Sequence, residues 1–245
     1  MSDFSPRHAL GFDETNLVDV PECEPHRLTP STLKAWLKLQ EDARAHGFKP
    51  VVVSSYRGFD RQLAIWAGKA TGKRPVLDDE DQLVDMASLS PLQKIEAIMR
   101  FSALPGSSRH HWGTDFDIAD LSCVEQGYQV QLTVSETEGV MAPFYLWLDS
   151  YLEKMPNHFF RPYAADAGGV SIEPWHLSYL PEAKLATTYS SYEGLLGFYK
   201  EVAAGDNQAV QEILAKLELD SMPLIETVIQ HFDAIYYRFI AQETP

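Results

Sequence analysis

Ser107-Ser-Arg-His-His-Trp-Gly-Thr-Asp-Phe-Asp-Ile-Ala-Asp120 gathers two histidines, one glycine and three carboxylates into a single short stretch. Phe116 and Ile118 alternate with Asp115 and Asp117 at the period of a β-strand. The two apolar side chains are therefore expected to face a core while the two carboxylates share the opposite face. Gly113 precedes the strand and can turn the backbone, bringing His110 or His111 back toward Asp117. A metal site is the first expectation, with Asp115 and Asp120 as solvated strand-end charges the plainer alternative.

Upstream, Thr29-Pro30-Ser31 offers a cap with Pro in the first turn, and Leu33, Trp36, Leu37 and Ala43 follow at helical spacing up to Gly47. Trp36 is read as core. The β-branched run 50–55 predicts a buried strand that ends at Tyr56-Arg57-Gly58. Residues 60–70 resume a helical pattern, 68–85 read as a loop or flap, and Ser90-Pro91 opens a helix through Arg100. Downstream, residues 128–134 alternate like a half-exposed strand, 142–155 are helical, and 159–163 and 168–179 lead to Ile172-Glu173-Pro174-Trp175-His176. Beyond Pro181 only helices are predicted, over 192–203, 207–217 and 222–241, with Asp206 capping the middle one. The chain thus divides into an irregular arm (1–28), a central domain (29–181) and a C-terminal helical extension (182–245). That extension could pack on the domain, cover one side of a cleft or form a dimer, and nothing in the sequence fixes an oligomeric state.

With 245 residues, 45% of them apolar and 22% charged, the chain has the composition of a globular protein with a full core. Its formal charge of -15 argues against nucleic acid and anionic membranes, whose phosphates call for clustered Lys and Arg. No stretch approaches the ~20 apolar residues of a membrane span. The sequence as written carries no export signal, which leads us to expect a cytoplasmic protein, or a periplasmic one if a leader has been removed. Cys23 and Cys123 could be two thiols or one disulfide.

A catalytic zinc site needs three nitrogen or oxygen ligands and an open position for water. His110 and Asp117 on one element and His176 on a later one supply such a set. Glu173 lies three residues before His176 with Pro174 interrupting regular structure between them, so its carboxylate can approach the water without ligating. A base so placed takes the proton of an activated water and hands it to a leaving amine, the chemistry of amide hydrolysis. Plainer readings compete: hydrogen-bonded or solvated histidines (as for His8, His26, His46, His158 and His231), Trp175 as core, and Arg57 as a surface ion pair.

Ser108-x-His110-x-x-Gly113-x-x-x-Asp117 with Glu173-x-x-His176 resembles the zinc-dependent D-alanyl-D-alanine carboxypeptidase and dipeptidase family, peptidase family M15, of the VanY type. Ser55-Tyr56-Arg57 with Gln62 is similar to the family's Tyr-Arg segment, and Phe160-Arg161-Pro162-Tyr163 to its approach to the second motif. The resemblance spans roughly residues 50–180. It implies an α+β fold, a small antiparallel sheet with flanking helices carrying a single zinc site, to which the C-terminal all-helical extension is added. It implies one zinc ion on His110, Asp117 and His176, with Glu173 as general base and acid. Arg57 would steady the oxyanion, and Gln62 and Ser108, with Trp175 nearby, would hold the peptide. The activity implied is a zinc metallocarboxypeptidase acting at the C-terminal D-amino acid of peptidoglycan stem peptides or muropeptides. An endolysin-type endopeptidase, or a non-catalytic zinc-binding module using the helices as a partner surface, are the alternatives. A binding module has no need of a base, so Glu173 together with Arg57 favours the enzyme. Asp115 departs from the family, many of whose members carry Ala there. It could orient a ligand histidine, cap Arg109 or bond His111.

Overall fold

The computed structural model describes residues 4–154 and 158–241. Strands β1 (Val18–Asp19) and β2 (Arg27–Leu28) form a short antiparallel ribbon. The main sheet is antiparallel, in the order β3 (Pro50–Ser54), β4 (Asp115–Asp120), β6 (His176–Tyr179), β5 (Phe159–Phe160). With helices packed around it, this is the α+β architecture that the motifs imply. Strand β4 is central, and its register pairs Asp115 with Ser178 and Asp117 with His176 on β6. Phe116 and Ile118 point into the core as expected, but the opposite face is buried too: Asp115 is fully buried and Asp117 is 5% exposed. Asp120 is no solvated strand end either, since it is buried and accepts from the Lys49 and Ser122 amides.

Helices α1 (Pro6–Ala9), α2 (Pro30–Ala45), α3 (Phe59–Ala70) and α4 (Pro91–Met99) precede β4. Thr29 caps α2 by accepting from the Thr32 amide, and Ser90 with Gln93 makes a reciprocal capping box on α4. Helices α5 (Val134–Glu138) and α6 (Ala142–Lys154) lie between β4 and β5. Met155, the predicted end of α6, lies outside the described residues. After β6 come α7 (Leu180–Thr187), α8 (Tyr192–Ala204), α9 (Gln208–Lys216), α10 (Ile225–Gln230) and α11 (Phe232–Ile235).

Two large apolar clusters result. One lies on the sheet and joins Trp36, Leu39, Phe116, Ile118, Phe144, Leu148 and Leu177. The other joins Phe59, Leu63 and Trp66 of α3 and Ile95 and Ile98 of α4 to Tyr199, Val228 and Phe232 of the C-terminal helices. Full burial of such a side chain stabilises by about 1.5–3 kcal/mol. The Trp66 indole also donates to the Pro223 carbonyl and the Tyr199 hydroxyl to that of Pro105. The helical extension is thus bonded to the central part of the chain through α3 and the segment that follows α4.

Several expected elements change. Residues 128–134 alternate but join no sheet: Glu136 accepts from the Gln131 amide and forms a capping box with Thr133, so these polar residues start α5 instead. The cap of α9 is Asn207, which accepts from the Val210 amide, while the Asp206 amide closes the preceding helix on Glu201. The single helix expected over 222–241 is broken. Leu224 has φ 68°, His231 interrupts between α10 and α11, and Tyr236–Ile240 is a π-helical stretch. The Pro223 carbonyl is held by Trp66, which keeps that turn out of the helix. Pro181 in the first turn of α7 starts a helix that the apolar spacing did not announce. The arm at 1–28 carries α1 and the ribbon, and both cysteines are free thiols.

Gly113 is the turn that the sequence calls for: its φ is +69°, and a Cβ there would meet Leu17 Cδ2 at 2.4 Å. Gly113→Ala is expected to cost about 1–3 kcal/mol of stability, measured by urea unfolding. A change within experimental error would show that the turn relaxes freely.

Candidate metal and peptide site

The β4–β6 register places Asp117 directly opposite His176, and the Gly113 turn brings His110 over the same point. The three side chains offer ligand atoms within 4.8 Å of one another, all buried. His176 Nδ1 lies 3.2 Å from Asp117 Oδ1, yet that oxygen has no hydrogen-bond partner, so the two atoms are close without being aligned on each other. His110 Nε2 lies 3.4 Å from Asp117 Oδ2. Lone pairs that converge without bonding, from two imidazoles and a carboxylate, fit a divalent cation of the zinc type.

Second partners fix which nitrogen of each ring faces this point. His110 Nδ1 is 2.9 Å from the Ser55 carbonyl and must donate to it, leaving Nε2 as the free ligand atom. His176 Nε2 is 3.1 Å from Asp115 Oδ1, leaving Nδ1 free. Asp115 therefore combines two of the three roles open to it. The same Oδ1 accepts from Arg109 Nε at 2.7 Å, and Arg109 also donates to Ser178 and lies over the Trp112 ring. Burial pushes the Asp115 carboxyl up, but Arg109 and His176 outweigh it and hold it at about 2. Burial likewise takes the His110 imidazole down to about 3, aided by Arg57. Burial works against a charged His176, yet Asp115, Asp117 and Glu173 together raise it well above its ordinary value.

The third possible partner of Asp115, His111, is engaged elsewhere. Its Nδ1 donates to the Arg57 carbonyl at 2.7 Å and its Nε2 accepts from the Gly106 amide at 3.0 Å. It is a strut rather than a ligand.

Glu173 begins the turn that leads into β6. Its amide donates to the Tyr163 carbonyl and its carbonyl accepts from the His176 amide, so Pro174 bends the chain and leaves Glu173 Oε2 3.3 Å from His176 Nδ1. Burial raises its carboxyl, which suits a proton acceptor and donor. Arg57, between β3 and α3, is set by its own backbone: its amide donates to the His110 carbonyl and its carbonyl accepts from His111. Its guanidinium donates to Gln62 Oε1 at 3.0 Å and sits 3.9 Å from Asp117 Oδ2, while its Nε has no partner.

A cleft of about 400 Å³ contains these groups. Arg57, Ser108, Trp175, Glu173, His110, Asp117 and His176 all line it. Trp175 is also core, 4% exposed. Gln62 is the residue not brought to the cleft: it is fully buried, with its amide donating to the Ala103 carbonyl, and it stands behind Arg57. Lys69, Tyr163 and Phe239 line the cleft without having been singled out from the sequence. Lys69 was legible in principle, because it lies two helical turns from Gln62 and hence on the same face of α3. Tyr163, whose ring is 5.0 Å from that of His176, stands out in the sequence only as the last residue of the Phe160-Arg161-Pro162-Tyr163 motif.

The family model VanY, D-alanyl-D-alanine carboxypeptidase, matches residues 25–182. An uncharacterized protein of Haemophilus influenzae is 36% identical over 102 residues, which are 41% of this chain and 70% of that protein. The LdcB LD-carboxypeptidase structure has a similar fold, with TM-score 0.51 and 22% identity over 73% of this chain and 74% of that one. VanYB in complex with D-Alanine-D-Alanine aligns with TM-score 0.49 and 25% identity, covering 72% and 83% respectively.

Asp115→Ala removes the acceptor that orients His176. It is expected to lower affinity for a divalent ion about 10-fold or more, read by competition with a chelator, and equal affinity would end the orienting role. His111 gives a pH dependence. Burial lowers its imidazole from 6.5 to about 4, so below pH 6.5 the unfolded chain takes up a proton that the folded chain refuses. Stability is full above that pH and is lost as pH falls toward 4, by about 3 kcal/mol from this residue. Unfolding free energies of the chain and of His111→Gln should converge over this window, and parallel curves would refute it.

Proposed function

The chain belongs to the VanY family of D-alanyl-D-alanine carboxypeptidases, and on that basis we propose that it is a zinc metallopeptidase removing the C-terminal D-amino acid from peptidoglycan stem peptides. The observation that carries this reading is the buried Asp117 carboxylate, its Oδ1 unbonded beside His176 Nδ1 and its Oδ2 3.4 Å from His110 Nε2, with the buried Glu173 carboxyl 3.3 Å from His176 Nδ1. His110 Nε2, Asp117 and His176 Nδ1 would hold the ion. When bound there, zinc supplies Lewis acidity toward the scissile carbonyl and makes water a competent nucleophile near neutral pH.

The chain's own residues account for the rest. Glu173, its carboxyl raised by burial, takes a proton from the attacking water at Oε2 and passes it to the leaving amine. Arg57 keeps its charge and faces the cleft, where it stabilises the negative charge that develops on the carbonyl oxygen. Gln62 aims the guanidinium from behind, so Arg57 needs no reorganisation during the reaction. Asp115 keeps His176 Nδ1 available as a ligand and Ser55 does the same for His110 Nε2.

Incubation with purified tetra- and pentapeptide muropeptides, followed by mass spectrometry, should show loss of one terminal residue. Glu173→Ala should keep about one zinc per chain by metal analysis while losing at least about 10²-fold in turnover. A zinc-loaded variant with undiminished turnover would remove Glu173 from the mechanism.

A further inference from the structure

The charged groups lining the cleft are unequally matched. Arg109 is paired with Asp115, and Arg57 faces Asp117. Lys69, near the end of α3, donates to Ser102 Oγ at 2.8 Å, and no carboxylate of the described residues pairs with it. Asp81 also lines the cleft but is exposed and makes no ion pair with Lys69. Ser102 itself is 8% exposed, so the hydroxyl that holds the ammonium is part of the wall.

An ammonium half out of water beside two guanidinium groups is costly unless something negative offsets it. Burial, Arg57 and Arg74 all act against its charge, and Glu173 only partly compensates. The chain has 35 carboxylates against 20 Lys and Arg, yet none is placed as this cation's partner among the described residues. In a protein of charge -15, an anionic ligand meets net repulsion everywhere except where cations are concentrated. The cleft wall bearing Arg57 and Lys69 is such a place.

We propose that Lys69, its ammonium held by Ser102, is a specificity-determining residue that receives a carboxylate of the peptide in the cleft. This rests on the peptidase reading for the identity of the ligand. Gln62 and Lys69, two turns apart on α3, divide the work along one face: the first holds Arg57 and the second meets the substrate. A stem peptide presents this chemistry from two sources, its C-terminal carboxylate and that of an acidic residue nearer its N-terminus.

The test is a calorimetric titration of the zinc-loaded chain and of Lys69→Met, both carrying Glu173→Gln to stop turnover. Three probes are used: a stem pentapeptide, its C-terminal amide, and the same peptide with its internal carboxylate amidated. Lys69→Met keeps the alkyl stem, and Ser102→Ala serves as a second variant should the first fold poorly. The expected result is a loss of affinity for the pentapeptide of about 10-fold or more in Lys69→Met. One of the amides should bind both proteins equally, and that amide identifies the carboxylate received. Equal affinity of the chain and Lys69→Met for the pentapeptide overturns the proposal, as does absence of binding to either. Turnover of the pentapeptide by the unmodified chain is measured separately. If the peptide binds through Lys69 but is not cut, the peptidase reading fails and the anion site stands.

Discussion

The cross-strand pairing of Asp117 with His176 is the constraint on which the rest of the site depends. Antiparallel partners have a fixed separation, so two ligand side chains are delivered to one point by backbone hydrogen bonding alone. A slip of one residue would turn Asp117 and Asp115 into the apolar cluster and bring Phe116 and Ile118 out of it. Burial of those two side chains thus locks the register that makes the metal site. The third ligand comes from a separate device, the left-handed turn at Gly113, which folds His110 back over the strand.

Tight packing of like and unlike charges follows from that geometry. Two carboxylates two residues apart on β4 necessarily share a face, and both are buried. Asp115 is tolerated because Arg109 shares its Oδ1 with His176 and Ser178 donates to its Oδ2. The arrangement then acts on function through His176, since the acceptor at Nε2 determines that Nδ1 is the free nitrogen. An alanine at this position would leave the tautomer of His176 to other partners and Arg109 without its counter-charge.

Much of this was legible in the sequence because it is local. The period of two in 115–118, the Gly113 turn and the Glu173–His176 spacing each lie within a few residues, and each is found in the structure as read. What was not legible depends on distant partners. Residues 128–134 show a strand period, yet they pair with no strand and Glu136 recruits them as a helix cap. Residues 222–241 are apolar at helical spacing, but a carbonyl bonded by Trp66 from 157 residues away keeps Pro223 out of the helix. In the site, Gln62 has the residue type of a substrate contact and the position of a support, a difference decided by the Ala103 carbonyl.

The two apolar clusters divide the site between them. The ligands and Asp115 are carried by strands anchored in the sheet cluster, whereas Arg57, Gln62 and Lys69 belong to α3 and its approach. The apolar face of α3 is covered by the C-terminal helices, so those helices determine where its polar face stands relative to the sheet. Two hydrogen bonds tie the halves directly at the point of chemistry: the Arg57 amide to the His110 carbonyl, and His111 to the Arg57 carbonyl. His111 can make its bond only as a neutral donor held by Gly106 on its other nitrogen. The second histidine of the motif therefore matters for the opposite reason from the first: His110 offers its free lone pair to the site, while His111 spends both nitrogens keeping the cationic wall in register with it.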